Sequence, residues 1–193
     1  MPVSDILYHL NARDEILSVN EEWHSFARAN EGAPLLSPEV LGRPLWDFIG
    51  DLETQHIYRL LHRRVRTQGA PVQLCLRCDG PDHRRLLELN ISLAEDHGLT
   101  YRVRTVRLEG RIPILLMDPD RPRSESFVTM CSWCKRVSVP SRGWVEVEEA
   151  VTAMSLFSEP RPPQLTHGIC GECSHGLHRA LSSEPVHATF GQF

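Results

Sequence analysis

Two cysteine pairs constrain the last third of this chain more than any other feature. They read Cys131-Ser-Trp-Cys134 and Cys170-Gly-Glu-Cys173. A C-x2-C spacing lets two thiolates on one tight turn grip the same ion, and two such turns supply the four sulfurs of a tetrahedral structural zinc site. The segment holding them is too small to fold on a hydrophobic core alone, so a bound metal explains how it holds together. His167, three residues before Cys170, is a fifth candidate: it could replace a cysteine to give Cys3His, or donate a hydrogen bond to the knuckle from outside the ligand set.

A dithiol redox site is the competing reading of the same cysteines. It needs its first cysteine at the start of a long helix, whose N-terminal end lowers the thiol pKa. The residues after Cys134 are Lys135-Arg136-Val137-Ser138-Val139-Pro140. They alternate and then meet proline, which predicts a hairpin leaving a knuckle and favours zinc. The redox alternative stays open at this stage. Cys75 and Cys78 share the C-x2-C spacing but fall inside a predicted strand, where residues three apart point to opposite faces and cannot converge on one ion. Cys78 is read as core and Cys75 as lying on the outer face of its sheet.

At 193 residues, one or two small domains fit. The formal net charge of -4 argues against a general nucleic-acid binder, which needs a basic field. No apolar run reaches the roughly 20 residues of a membrane span. Met1-Pro2-Val3-Ser4-Asp5 shows no basic n-region leading into an apolar stretch. The expected compartment is therefore a reducing cytoplasm, in which cysteines serve as thiols or metal ligands rather than disulfides.

Upstream of the paired cysteines, residues 5–110 read as an α+β unit. Ile6–Leu10 and Ile16–Val19 form a hairpin around the polar turn Asn11-Ala12-Arg13-Asp14. Asn20 caps a helix carrying Glu21 and Glu22 in its first turn, with Trp23, Phe26 and Ala27 on one face and Gly32 past its end. Ser37-Pro38-Glu39 is a second helix start. A longer helix runs from about Glu53 to Thr67, its stripe formed by Ile57, Leu60, Leu61 and Val65, and Gly69 ends it. The cluster His62-Arg63-Arg64-Val65-Arg66 reads as that helix's solvent face. Three alternating strands follow. In the first, Val72, Leu74, Leu76 and Cys78 oppose Gln73, Cys75 and Arg77; in the second, Leu87, Leu89, Ile91 and Leu93 alternate with polar residues; the third covers Leu99 to Leu108. Residues 111–126, rich in proline and charge, read as a linker. The Cys-rich module spans 127–181, with a helix expected from Trp144 to Phe157 whose apolar side is Trp144, Val147, Val151 and Met154. Residues 182–193 read as a frayed tail.

The ordered set formed by the opening hairpin, the Asn20–Asn30 helix, Gly42-Arg43-Pro44-Leu45-Trp46-Asp47-Phe48-Ile49, the long helix and Arg77-Cys78-Asp79-Gly80-Pro81 resembles a PAS domain. It is similar to bacterial PAS proteins in which Cys-Ser-Trp-Cys-Lys-Arg, Trp-Val-Glu-Val-Glu and Leu-Thr-His-Gly-Ile-Cys recur in that order. The resemblance implies a five-stranded antiparallel sheet with helices on one face, followed by a small zinc-bound Cys-rich module resembling a zinc ribbon. It also implies sensing of a ligand or binding of a partner. Some PAS domains bind haem through a histidine on the helix occupied here by His56, which borders Ile57 and Leu60 and is the haem candidate; His62 is expected to point further away. The outer sheet face, where Arg102 and Arg104 precede Val106 and Leu108 and which Arg77 and Cys75 could join, is a candidate homodimer or partner surface.

Phosphate-binding loops and the G-x-S-x-G and H-E-x-x-H signatures are absent from the sequence. The expectation is a non-enzymatic cytoplasmic signalling protein acting through a partner protein or a separate output module. A thiol–disulfide redox sensor and a haem-binding gas sensor are the alternatives.

Overall fold

The computed structural model describes residues 5–30, 35–36, 38–156 and 161–182. The chain forms two compact units. Of the described residues, the first comprises 5–75, 88–105 and 178–182, and the second 76–87 and 106–177. Among the described residues, no helix is long and apolar enough to cross a membrane.

The first unit opens with β1 (Ile6–Leu10) and β2 (Ile16–Val19), paired antiparallel with Tyr8 opposite Val19. Alternation buries Tyr8 and Leu10 and exposes His9 between them. Asp14 takes φ 65 in the connecting turn, a left-handed conformation that Asp tolerates better than most residues. Helix α1 (Glu21–Ala29) starts where Asn20 accepts a hydrogen bond from the Trp23 amide at 3.0 Å. Gly32 and Ser37 lie outside the described residues. The segment after Ser37 differs from the expected helix. Leu41 N–H donates to Pro38 O, and the chain turns through Gly42 at φ 76. Arg43 O then accepts from Ile16 N–H at 2.9 Å, so pairing with the hairpin takes the backbone that a helix would have used.

Helix α2 (Leu52–Gln68) has both ends encoded. Asp51 accepts from the amides of Glu53 and Thr54, and Gly69 closes it at φ 70 with its N–H on Val65 O. Asp51→Ala removes the acceptor for two otherwise orphaned donors and is expected to lower stability by about 1 kcal/mol, as measured by urea denaturation. Ile57, Leu61 and Val65 are buried. Strands β3 (Val72–Arg77), β4 (His83–Leu93) and β5 (Leu99–Gly110) follow, giving a five-stranded antiparallel sheet in the order β2-β1-β5-β4-β3. In β4, Leu87, Leu89 and Ile91 are buried as the alternation requires, while Leu93 at the end is exposed.

In the second unit, β6 (Phe127–Cys131), β7 (Val137–Val139), β8 (Gly143–Val145) and β9 (Gln164–Gly168) form a sheet in the order β8-β7-β6-β9. The short helix α3 (Val147–Ala153) lies between β8 and β9 in sequence, and α4 (Gly171–Leu181) follows β9. The expected helix from Trp144 is corrected here. Gly143 at φ 76 turns the chain, and Trp144 pairs with Ser138 in the β7–β8 ladder. The helix starts only after Glu146, and Phe157 lies outside the described residues. Val147, Ala150 and Val151 join Val128, Met130, Val137 and Val139 in one core. Ile114 and Leu116 are buried in it too, so the segment 111–126 contributes packing to this unit. Of the tail 182–193, only Ser182 is described.

Candidate metal centre

Strands β6 and β9 run parallel, with Met130 opposite His167 and Cys131 opposite Gly168. Parallel neighbours finish at the same end of a sheet. The knuckle that begins at the last residue of β6 and the one that begins two residues beyond β9 therefore emerge side by side. Ser132 N–H continues the pairing to Gly168 O at 2.9 Å. The first knuckle is closed by Lys135 N–H on Cys131 O at 3.0 Å and Cys131 N–H on Arg136 O at 2.7 Å. Its left-handed residue is Lys135 at φ 62. Lys135 Nζ donates to Ser132 O at 2.8 Å. Trp133, between the two cysteines, is 1% exposed.

Cys131, Cys134, Cys170 and Cys173 are all buried, and their four sulfurs lie within 4.8 Å of one another. Cys134 Sγ and Cys170 Sγ are 3.7 Å apart. A zinc–sulfur bond of about 2.3 Å at tetrahedral angles puts neighbouring sulfurs about 3.8 Å apart, so the spacing fits a common four-coordinate ion. A disulfide instead requires sulfurs about 2 Å apart. Backbone amides aim at sulfur, among them Cys170 N–H at Cys131 Sγ (3.4 Å) and Cys173 N–H at Cys170 Sγ (3.5 Å).

Electrostatics lead to the same conclusion. Hydrogen bonds from the thiols of Cys134 and Cys173 push the Cys131 thiol far below its usual range. The partner that donates to it is pushed the other way. Cys134 rises to about 12, chiefly through its hydrogen bond to Cys131, and Cys173 rises further for the same reason with Cys134 added. One thiolate is thus favoured and the next is opposed by the charge already present. Four thiolates can share this buried space only around a cation, which is what a soft divalent metal supplies. The donor set fits a closed site in which these four residues would hold the ion. Its chemistry there would be structural, because four protein ligands leave no position for water or substrate.

His167 is exposed on β9 and stands outside the four-sulfur cluster. His175 and His178 are exposed on α4. Cys75 and Cys78 are half-buried and form no disulfide. β3 ends at Arg77, which leaves Cys78 just past the strand, and burial with the nearby Glu88 charge pushes the Cys75 thiol up. No family model matches the chain, and no curated protein matches it either.

The histidines of α2 are placed opposite to expectation. His56 is exposed, and His62 is 1% exposed. Leu61 marks the centre of the buried stripe. At 100° per residue His62 lies about 100° round the helix from it and His56 about 140°. The sequence reading centred the stripe too near Ile57. The cluster 62–66 is likewise not a solvent face, since Arg64 is also buried and Arg66 Nη2 pairs with Asp14 at 2.7 Å. His62 Nδ1 sits 2.8 Å from Asp14 Oδ1, and Nε2 contacts the hydroxyl of Tyr101. A carboxylate only accepts, so Nδ1 carries the proton towards Asp14. With the ring neutral, Nε2 accepts from Tyr101.

Arg102, Arg104, Val106 and Leu108 are exposed on β5 as expected. Arg77 does not join them. It is 4% exposed, and it pairs with Asp79 and with Glu146 at 2.7 Å. Glu146 also approaches Arg84 at 3.7 Å and Arg136 at 3.4 Å. No sequence signal marked this hub, because its acid comes from 69 residues beyond Arg77.

Proposed function

We propose that this chain is a non-enzymatic sensory or regulatory protein. In this reading an N-terminal PAS-like domain (5–110) receives a ligand or a partner. A zinc-bound module (127–181) forms a rigid platform for contact with another protein. The observation that carries the proposal is the buried grouping of the Cys131, Cys134, Cys170 and Cys173 sulfurs within 4.8 Å of one another, a donor set suited to zinc and closed to catalysis. The five-stranded antiparallel sheet supports the PAS-like part, and the exposed side chains of Arg102 and Arg104 suit a dimer or partner surface.

Native mass spectrometry of the intact chain tests both halves. One zinc per chain that survives mild oxidant is expected, together with any small molecule retained on the first unit. A metal-free chain that gains two disulfides on oxidation would replace this reading with the redox sensor.

A further inference from the structure

The second unit contains a cavity of about 260 Å³ walled by Arg77, Arg84, Arg85, Arg107 and Arg136. The acidic residues on the wall are Glu109 and Glu146. The wall is rich in guanidinium groups that acids hold from beside or behind it: Asp79 pairs with Arg77, Glu148 with Arg84, Glu109 with Arg107 and Glu172 with Arg136.

The internal pairings do not exhaust the donors. One carboxylate, Glu146, is shared by three arginines: Arg77 Nη1 at 2.7 Å, Arg136 Nε at 3.4 Å and Arg84 Nη2 at 3.7 Å. Asp79, which is not on the wall, holds Arg77 through Nε at 3.2 Å and through Nη2. Those bonds fix the guanidinium plane and use three of its five N–H donors. Arg84 is the less satisfied neighbour. Its Nη2 lies 2.7 Å from Glu148 Oε2, yet that oxygen has no hydrogen-bond partner, so the pair is close but poorly aligned. The Nε of Arg84 is buried without any acceptor. A buried orphan donor is a cost that an incoming anion relieves.

Size and charge narrow the ligand. The volume falls just below the range of about 300–1,000 Å³ typical of drug-sized sites and far above the ~30 Å³ of one water. A compact molecule fits and a polymer does not. A net acidic chain also lacks the extended basic field that a nucleic acid requires. Arginine forks match phosphoryl oxygens bidentately, and a phosphoryl oxygen can accept from the orphaned Nε of Arg84. We propose that this cavity binds the phosphoryl group of a small molecule.

Isothermal titration calorimetry on the full chain tests this with inorganic phosphate, ribose 5-phosphate and succinate, with metal content followed in parallel. Saturable, mutually competitive binding of the two phosphates is expected. Arg84→Gln is expected to weaken it about tenfold. Arg107→Gln, whose side chain is 53% exposed and can change without disturbing the core, is expected to weaken it in the same direction. Glu146→Gln removes the competing internal anion and is expected to tighten binding about fivefold. Tighter binding of ribose 5-phosphate than of phosphate supports the proposal and assigns the sugar to the cavity. Equal affinities support it and assign the phosphoryl group alone. The proposal is overturned by succinate binding as tightly as either phosphate, by no saturation up to about 10 mM, or by indifference to both arginine substitutions.

Discussion

Cys170→Ser is expected to release the metal and unfold the second unit. Four-ligand zinc contributes apparent free energies of about 10–16 kcal/mol in small zinc-finger peptides. The entire stability of an ordinary domain is about 5–15 kcal/mol. Losing one of four sulfurs therefore removes an amount comparable with everything that holds the unit together. The aliphatic core around Met130, Val137 and Val147 does not replace it, because the parallel pairing of β6 and β9 ends at the knuckles themselves. Hydrogen exchange reads this directly: amides of β6 and β9 are expected to lose protection, and elemental analysis to fall from one metal per chain towards none. Cys75→Ser alters a cysteine with the same C-x2-C spacing, yet its sulfur lies outside the cluster, so metal content is expected to stay unchanged. A Cys170→Ser protein that keeps its full metal complement and its exchange protection would refute the four-sulfur site.

The contrast between those two C-x2-C pairs shows what was legible in the sequence. Turn chemistry joins Cys131 to Cys134 and follows from local geometry, whereas the alternation expected to separate Cys75 from Cys78 stops at Arg77, the end of β3. The hairpin Ile6–Leu10 and Ile16–Val19, the Asn20 cap of α1 and the Gly69 end of α2 were readable from local geometry too, since Asn20 and Gly69 act within a few residues of themselves; the Asp51 cap of α2 went unread. What brings the two knuckles together was not readable. It is a parallel ladder between five-residue strands whose partners, such as Cys131 and Gly168, are far apart in the chain, and no local pattern sets that register. Trp144 was misread because Trp144, Val147 and Val151 also satisfy a helical spacing; pairing of Val145 with Val137 decided the matter. Arg77 was placed outward by alternation alone. It is buried because Asp79 and Glu146 neutralise it, and one of those partners is remote in sequence.

The same remoteness hid Asp14–His62–Tyr101, the polar network in the interior of the first unit. His62→Ala is expected to destabilise that unit by about 3–4 kcal/mol, because it opens a cavity and strips the buried partner from two polar groups at once. Tyr101→Phe leaves His62 Nε2 without its hydroxyl partner and is expected to cost less, about 1–3 kcal/mol. Exchange of the β1 and β5 amides, which pair across Tyr8 and Tyr101, measures both. Asp14 adds a pH signature. Burial works against its charged form, but hydrogen bonds from His62 and Arg66, with the Arg66 charge, outweigh burial and hold its carboxyl below the usual 3.8. A carboxyl depressed in the folded state stabilises the fold at pH above its unfolded value, and that contribution disappears as pH falls from 3.8 through the lower folded value. Asp14→Asn keeps an acceptor for His62 and tolerates the left-handed turn, so it isolates the charge. It is expected to lower stability at neutral pH and to remove this part of the acid dependence. An unchanged acid unfolding profile in Asp14→Asn, or a His62→Ala protein as stable as the parent, would mean that hydrophobic packing alone holds the first unit together.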